Sequence, residues 1–214
     1  MNEGLTPVAE DYVKAIWSAS EWGASPATVT TLAQRFGIAP ATVSITLKRL
    51  VARGLVVHEQ YRPIRLTEAG RLEAVRMVRR HRLLETFLVE RLGYRWDEVH
   101  DEAERLEHVV SDAFLDRIDA LMHHPAEDPH GDPIPDREGQ VAYPAGARPL
   151  TDAATGSFRI VRVSDADPER LVELDALGLR PGRSLSRAED GDEIDGRALE
   201  LPEHLARDIL VVPE

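Results

Sequence analysis

The chain has 214 residues, 43% apolar and 30% charged, which excludes a disordered protein and allows one large domain or two to three small ones. It contains no cysteine, so disulfides, thiolate metal sites, iron–sulfur clusters and cysteine nucleophiles are excluded together, and any metal must be held by nitrogen and oxygen. The formal net charge of −12, taken whole, argues against a nucleic-acid partner.

The opening residues, MNEGLTPVAEDYVK, have no basic stretch followed by an apolar one, so no secretory signal is expected. No apolar run approaches the about 20 residues of a membrane span. The expected compartment is the cytoplasm, without a membrane partner. Pro7–Ala19 places Val8, Tyr12, Ala15, Ile16 and Ala19 on one helical face. Ser25-Pro26-Ala27-Thr28 is a helix-start signal followed by Val29, Leu32, Ala33 and Phe36, and Gly37 ends that short helix. Pro40 suits the first turn of a third helix, where a missing backbone donor costs nothing. That helix is expected to turn Val43, Leu47, Leu50 and Val51 inward and to stop at Gly54. Two β-type runs follow, Leu55–His58 and Ile64–Leu66, joined by a polar turn with Tyr61, Arg62 and Pro63.

A long amphipathic helix is predicted from about Thr67 to Leu92, and a second from Trp96 to about Met122. Residues 125–149 hold six of the 14 prolines and read as a linker or a loop-rich crossing. The tail returns to strands (Phe158–Val163 and Ile209–Val212) around a helical stretch, Pro168–Leu177, and its size suits a small β-barrel. The predicted class is α+β, mostly α.

Two short helices joined by a Gly-containing turn form a helix-turn-helix, and a following hairpin makes it winged. Ala33 is small enough for the two helices to cross closely, with Ile38 and Val43 expected to fill the angle between them. The second of them would present Ala41, Thr42, Ser44, Ile45, Thr46, Lys48 and Arg49 outward. Short hydroxyls there reach phosphates or base edges, Ile45 suits thymine methyls, and Arg62 at the wing tip suits a phosphate or the minor groove. The helix start carries no Arg, Asn or Gln for bidentate base reading, which shifts specificity toward DNA shape.

The charge is divided. Residues 1–80 hold 11 Lys/Arg against 7 Asp/Glu, whereas the remaining residues hold 15 against 31. No acidic side chain occurs between Glu21 and Glu59, where Arg35, Lys48, Arg49 and Arg53 fall. A three-helix domain for protein contacts would share the helical pattern. The acid-free cationic run favours a polyanion.

Hard ligands gather further on. At about 100° per residue, His100, Glu104, Glu107 and His108 share roughly a 100° sector of one helix, and His81 and Glu85 lie one turn apart on the preceding one. A solvated Glu/His-rich face would show the same spacing. Burying so many carboxylates without a counter-charge is costly, and a divalent cation supplies one. The spacing is neither HExxH nor the Glu-x-x-His of di-iron bundles. His58, His123, His124, His130 and His204 lack such spacing and are assigned no site.

Winged helix and ligand cluster together resemble the diphtheria-toxin-repressor/manganese-regulator family of metal-activated repressors. The matching stretches are Glu10-Asp11-Tyr12, Thr42-Val43-Ser44, Arg53-Gly54-Leu55-Val56, Leu66-Thr67-Glu68-Ala69-Gly70, His81-Arg82-Leu83-Leu84-Glu85, His100-Asp101-Glu102-Ala103-Glu104, Glu107-His108-Val109-Val110-Ser111-Asp112 and Gly131-Asp132-Pro133-Ile134-Pro135. The resemblance implies a DNA-binding domain over 1–70, a helical dimerisation and metal-binding domain over 71–140 and an SH3-like β-barrel over 141–214. It implies two metal sites per subunit. The ancillary one would use His81, Glu85 and His100 with Asp165 from the C-terminal domain, or Asp167 or Glu169 in its place. The activating one would use Asp11, Glu104, Glu107 and His108. The implied partners are a second copy of the chain and palindromic double-stranded operator DNA, with no organic cofactor and no enzymatic activity.

In the iron-sensing members a methionine stands at the position of Asp11 and a cysteine at that of Glu104. Carboxylates here suit Mn²⁺, although Fe²⁺, Co²⁺ or Zn²⁺ would also bind such donors in vitro. Two-domain manganese regulators carry a glutamate where this chain has Lys14, so two separated sites are expected rather than a close metal pair. The reading is a manganese-activated repressor of metal homeostasis, with manganese uptake as the regulated process. The alternatives are an iron-dependent repressor of the same family, a metal-independent winged-helix regulator, and a metalloenzyme or metal carrier. Against the last, no acid–base pair separate from the ligands and no phosphate-cradling glycine loop is found.

Overall fold

The computed structural model describes residues 4–21, 26–59, 62–188 and 191–214; Ser25 of the helix-start signal and Tyr61 of the wing lie outside them. The chain divides into two compact units, one of Met1–Arg80 with Pro135–Gly139 and one of His81–Ile134 with Gln140–Glu214.

The first unit opens with α1 (Pro7–Ser18), whose Thr6 hydroxyl accepts from the Ala9 amide and whose first position is proline. α2 (Val29–Phe36) starts with a reciprocal Thr28–Thr31 capping box. It ends at Gly37, where φ of +63° favours a residue without a Cβ. α3 (Pro40–Ala52) begins on proline and buries Val43, Leu47 and Leu50. These side chains share one core with Tyr12, Val13, Ile16, Leu32 and Ala33, and the Phe36 ring stacks on Tyr12 at 4.7 Å. The predicted inward faces need three corrections. Val8, Ile38 and Val51 are 56%, 36% and 42% exposed. Val8 lies in the first turn of α1, Ile38 in the turn after α2, and Val51 in the last turn of α3, where neighbouring helices no longer cover the face.

The wing is shorter than its apolar runs. β1 (Val56–Val57) pairs antiparallel with β2 (Arg65–Leu66), Val56 opposite Leu66. The Thr67 hydroxyl donates to the Gly54 carbonyl (2.7 Å) and accepts from the Gly70 amide (3.0 Å), anchoring the wing to the start of α4 (Glu68–Leu92). Along the first half of α4, Arg71 and Arg79 donate to the carbonyls of Gly139 and Pro135.

The second unit takes α4 from His81 onward. The helix predicted from Trp96 to Met122 is broken into α5 (Val99–Glu107) and α6 (Asp112–Leu121). Ser111 makes the break: its hydroxyl accepts from the Phe114 amide, so it starts a helix rather than continuing one. Leu83, Leu84, Leu88, Val99, Ala103, Leu115, Ile118 and Ile134 form one core.

After β3 (Arg148–Pro149) and a 3-10 turn, β4 (Gly156–Val163), α7 (Pro168–Ala176), β5 (Ser184–Ala188), β6 (Gly191–Ile194), β7 (Arg197–Leu199), α8 (Glu203–Ala206) and β8 (Ile209–Pro213) complete the unit. The strands make one antiparallel sheet in the order β3-β8-β4-β5-β6-β7. Its core includes Leu150, Ile160, Leu171, Leu174, Leu185 and Trp96. The stretch 125–149, read from its prolines as a linker or crossing, is packed in its first part: Asp128 and residues 130–135 are buried.

Candidate metal centre and DNA interface

Burial and helical period put His81 and Glu85 side by side on the inner face of α4, 7% and 1% exposed. His100 opens α5 against them, and Asp165 comes from the loop after β4. One ligand atom from each of these four side chains lies within 4.8 Å of the other three. His81 Nε2 is 3.0 Å from Glu85 Oε1 and 3.1 Å from His100 Nδ1. His100 Nδ1 is 3.2 Å from Glu85 Oε1 and 3.4 Å from Asp165 Oδ2. Donors bound about 2.1 Å from one ion stand roughly 3.0–3.4 Å apart at adjacent positions, so the side chains fit a divalent cation without rearrangement.

Glu107, fully buried at the end of α5, accepts from His81 Nδ1–H at 2.6 Å. This bond fixes the tautomer and turns the Nε2 lone pair toward Glu85 and His100, as carboxylates do behind metal-bound histidines. The other Glu107 oxygen stands 3.5 Å from His108 Nε2, so one carboxylate touches both histidines. Glu104 is exposed on α5 and lies 3.5 Å from His100 Nε2. Asp11 sits on α1 in the first unit.

The charges of the cluster depend on one another. Burial works against the charge on Glu85, but His81, His100 and His130 outweigh it and hold the carboxyl below its ordinary range. Burial likewise opposes the charge on His100; Asp165, Glu104 and Glu85 overcome it and the imidazole is pushed up to about 12.

Asp128 and His130 belong to this region, although no periodicity singled them out. They lie in a loop that hugs β4: a Cβ on Gly131 would come within 2.1 Å of the Val161 carbonyl oxygen. Glu85, Asp128 and His130 form a further buried group of potential ligands. Arg82 stands 3.6 Å from Asp128 and 3.4 Å from Asp132, and donates to the Pro133 carbonyl at 2.8 Å. The available signal was chemical, a run of Asp128, His130 and Asp132 within five residues.

On the first unit, Ala41, Thr42, Ile45, Lys48 and Arg49 are exposed along α3, with Ser44 and Thr46 half-buried, and Arg62 is exposed in the wing. Ser44 and Thr46 donate to the Pro40 and Thr42 carbonyls, so their hydroxyl oxygens face outward as acceptors.

Comparison with known proteins decides the family. The model described as iron-dependent repressor, N-terminal DNA-binding domain, matches residues 4–64, and that of the iron-dependent repressor metal-binding and dimerisation domain matches residues 67–136. The iron-dependent repressor IdeR of Mycobacterium tuberculosis (strain H37Rv) is 36% identical over 176 residues, which span 82% of this chain and 69% of the relative. The chain belongs to the diphtheria toxin repressor family. The diphtheria toxin repressor of Corynebacterium diphtheriae is 34% identical over 80% of this chain and 77% of its own. A solved manganese-dependent transcriptional repressor in complex with manganese is 44% identical, with a TM-score of 0.89 over 96% of this chain and 100% of that one. Members of the diphtheria toxin repressor family are metal-dependent, DNA-binding transcriptional repressors and not enzymes. Among the described residues no helix is long and apolar enough to cross a membrane.

Proposed function

We propose that this chain is a manganese-activated repressor that binds palindromic operator DNA as a homodimer and controls metal homeostasis, manganese uptake first. The observation that carries the reading is the donor chemistry. His81, Glu85, His100 and Asp165 converge with imidazole nitrogen and carboxylate oxygen only, and Asp11, Glu104, Glu107 and His108, proposed as the activating set, contain no sulfur either. Oxygen-rich shells suit Mn²⁺, while sulfur donors select softer ions. The manganese complex of the 44%-identical repressor supports the same assignment.

In this reading the domains are 1–70, 71–140 and an SH3-like 141–214, with two cation sites per subunit. The bound cation supplies positive charge where carboxylates would otherwise repel one another. Asp11 stands on the helix that packs the DNA-reading core, and Glu104, Glu107 and His108 stand on α5. Holding these groups together fixes α3 of each protomer for successive major grooves about 34 Å apart. The population of the DNA-competent form then follows the differential affinity of the cation for it. Ala41, Thr42, Ser44, Ile45 and Thr46 meet base edges, and Lys48, Arg49 and Arg62 meet phosphates or the minor groove.

The test is an anaerobic operator-binding titration with Mn²⁺, Fe²⁺ and Zn²⁺ at buffered free concentrations, run beside Asp11→Ala. Mn²⁺ activates within its physiological range, and Asp11→Ala loses that activation while keeping its fold. Activation by Fe²⁺ alone, or operator binding indifferent to a chelator, overturns the reading.

A further inference from the structure

The first unit contains a cavity of about 410 Å³ between the end of α1, the base of the wing and the first turn of α4. Its floor is apolar. Ile16, Ala27 and Ile64 line it and are buried in the core of the unit, with Trp17 and Leu66 half-buried beside them. Hydrogen bonds tie the walls in place: the Ile64 amide donates to the Ala27 carbonyl at 2.9 Å, and the Thr67 hydroxyl donates to the Gly54 carbonyl at 2.7 Å.

The polar side of the cavity is formed by Arg65, Glu68 and Arg71. Glu68 is already matched, since Arg71 Nη2 and Nε donate to it at 2.8 and 3.1 Å. Arg71 Nη1 donates to the Gly139 carbonyl at 3.3 Å, which fixes the guanidinium further. Arg65 is exposed, and its guanidinium has no hydrogen-bond or ion-pair partner among the described residues. Glu68 is the one acid among the described lining residues, so the cavity carries an uncompensated positive charge at Arg65.

Size and charge together identify what fits. A dry cavity of about 150 Å³ takes benzene, so this one has room for a flat two-ring group with a short side chain. Apolar walls with a few polar groups that set orientation are the usual make-up of a small-molecule site. Trp17 offers an indole for a flat ring to pack against. A guanidinium is a planar fork that pairs with a carboxylate through two parallel hydrogen bonds. We propose that this cavity binds a small aromatic carboxylate, its rings against Ile16, Trp17 and Ile64 and its carboxylate on Arg65. Such a ligand joins α1 to β2 and so steadies the base of the wing. None of its contacts belongs to the cation sets described above, so the proposal stands or falls apart from them.

Naphthylacetate is titrated into the full-length protein, stripped of metal and kept in chelator so that no bound cation can receive the carboxylate. Calorimetry measures the affinity, and proton–nitrogen and proton–carbon correlation spectra locate the site. Binding saturates, with shifts at the Trp17 indole and the Ile16 and Ile64 methyls. Replacing the probe by the neutral naphthylacetamide, or the protein by Arg65→Ala, weakens binding about tenfold, the scale of one charge-assisted pair. Ser20→Phe, at the exposed rim of the cavity, abolishes it. The comparison of acid with amide needs no variant and serves even if a substitution disturbs the fold. Equal affinity for acid and amide would make the cavity a socket for an apolar group, such as a partner's side chain, and overturns the proposal. Shifts that miss Trp17 and Ile64, or binding that does not saturate at millimolar probe, overturn it as well.

Discussion

The surface proposed to read DNA in the first unit comes from one helix, α3, Pro40–Ala52, with one contribution from the wing. The donor cluster of the second unit is assembled from α4, α5 and two loops, with candidate ligands running from His81 to Asp165. The α3 face is exposed, and its side chains owe little to their neighbours. The cluster is buried, and each charge in it depends on the others. A surface of the first kind can lose a side chain without unfolding; one of the second kind ties recognition to stability. That contrast can be broken or sharpened by experiment.

The largest effect is expected at Arg82. The residue is 6% exposed, and its guanidinium faces Asp128 and Asp132. Arg82→Ala leaves two buried carboxylates without that partner, a change that costs about 3–5 kcal/mol. Chemical denaturation of the metal-free protein should show this loss in the second unit, with the α1–α3 module unaffected. A loss below about 1 kcal/mol would mean that the pocket is hydrated and the contrast overstated.

Removing the cation comes next. A ligand at one hundred times its dissociation constant stabilises the fold by about 2.7 kcal/mol. Chelation should therefore lower the thermal midpoint of the parent, and far less that of a His81→Ala/His100→Ala double variant. An equal fall in both would place the stabilising ion elsewhere.

The same contrast explains what could be read from the sequence. The α3 face was legible because helical period and caps are local: Thr28, Gly37, Pro40 and Gly54 mark the ends, and Val43, Leu47 and Leu50 mark the buried side. The errors fell where local pattern meets tertiary cover, at Val8, Ile38 and Val51. Ser111 was hidden because a serine inside an amphipathic pattern looks like one polar position among others, although it starts a new helix. In the cluster, His81 with Glu85 and His100 with Glu104 were visible as one-turn pairs. Asp165 came only through family resemblance. His130 carries no periodic signal because it sits in a loop, and the groups it faces, Trp96 and Glu85, are both more than thirty residues away.

A smaller effect concerns protons. Without metal, His100 is pushed up to about 12 by Asp165, Glu104 and Glu85 against the opposing cost of burial, so the ring is protonated at neutral pH. A cation must displace that proton. Affinity at the His81 set should therefore rise about tenfold per pH unit between pH 6 and 8, or about 1.4 kcal/mol per unit. Calorimetry in buffers of different ionisation enthalpy should register about one proton released with the ion. No release would mean that His100 is already neutral, and that the buried carboxylates are balanced by Arg82 rather than by histidine.

The smallest effect separates two side chains on one helix. Lys48 and Ile45 are both exposed on α3, so replacing either with alanine should leave stability within about 0.5 kcal/mol of the parent. Both should weaken operator binding by about 1 kcal/mol, for different reasons. Lys48→Ala removes a phosphate contact, so the slope of log affinity against log salt should shrink by about one, equally on specific and random DNA. Ile45→Ala removes an apolar contact to a thymine methyl, so the slope should stay unchanged while discrimination at one base pair is lost. If both variants shift only the slope, α3 reads charge and groove shape rather than bases, as the absence of Arg, Asn and Gln from its first turns allows.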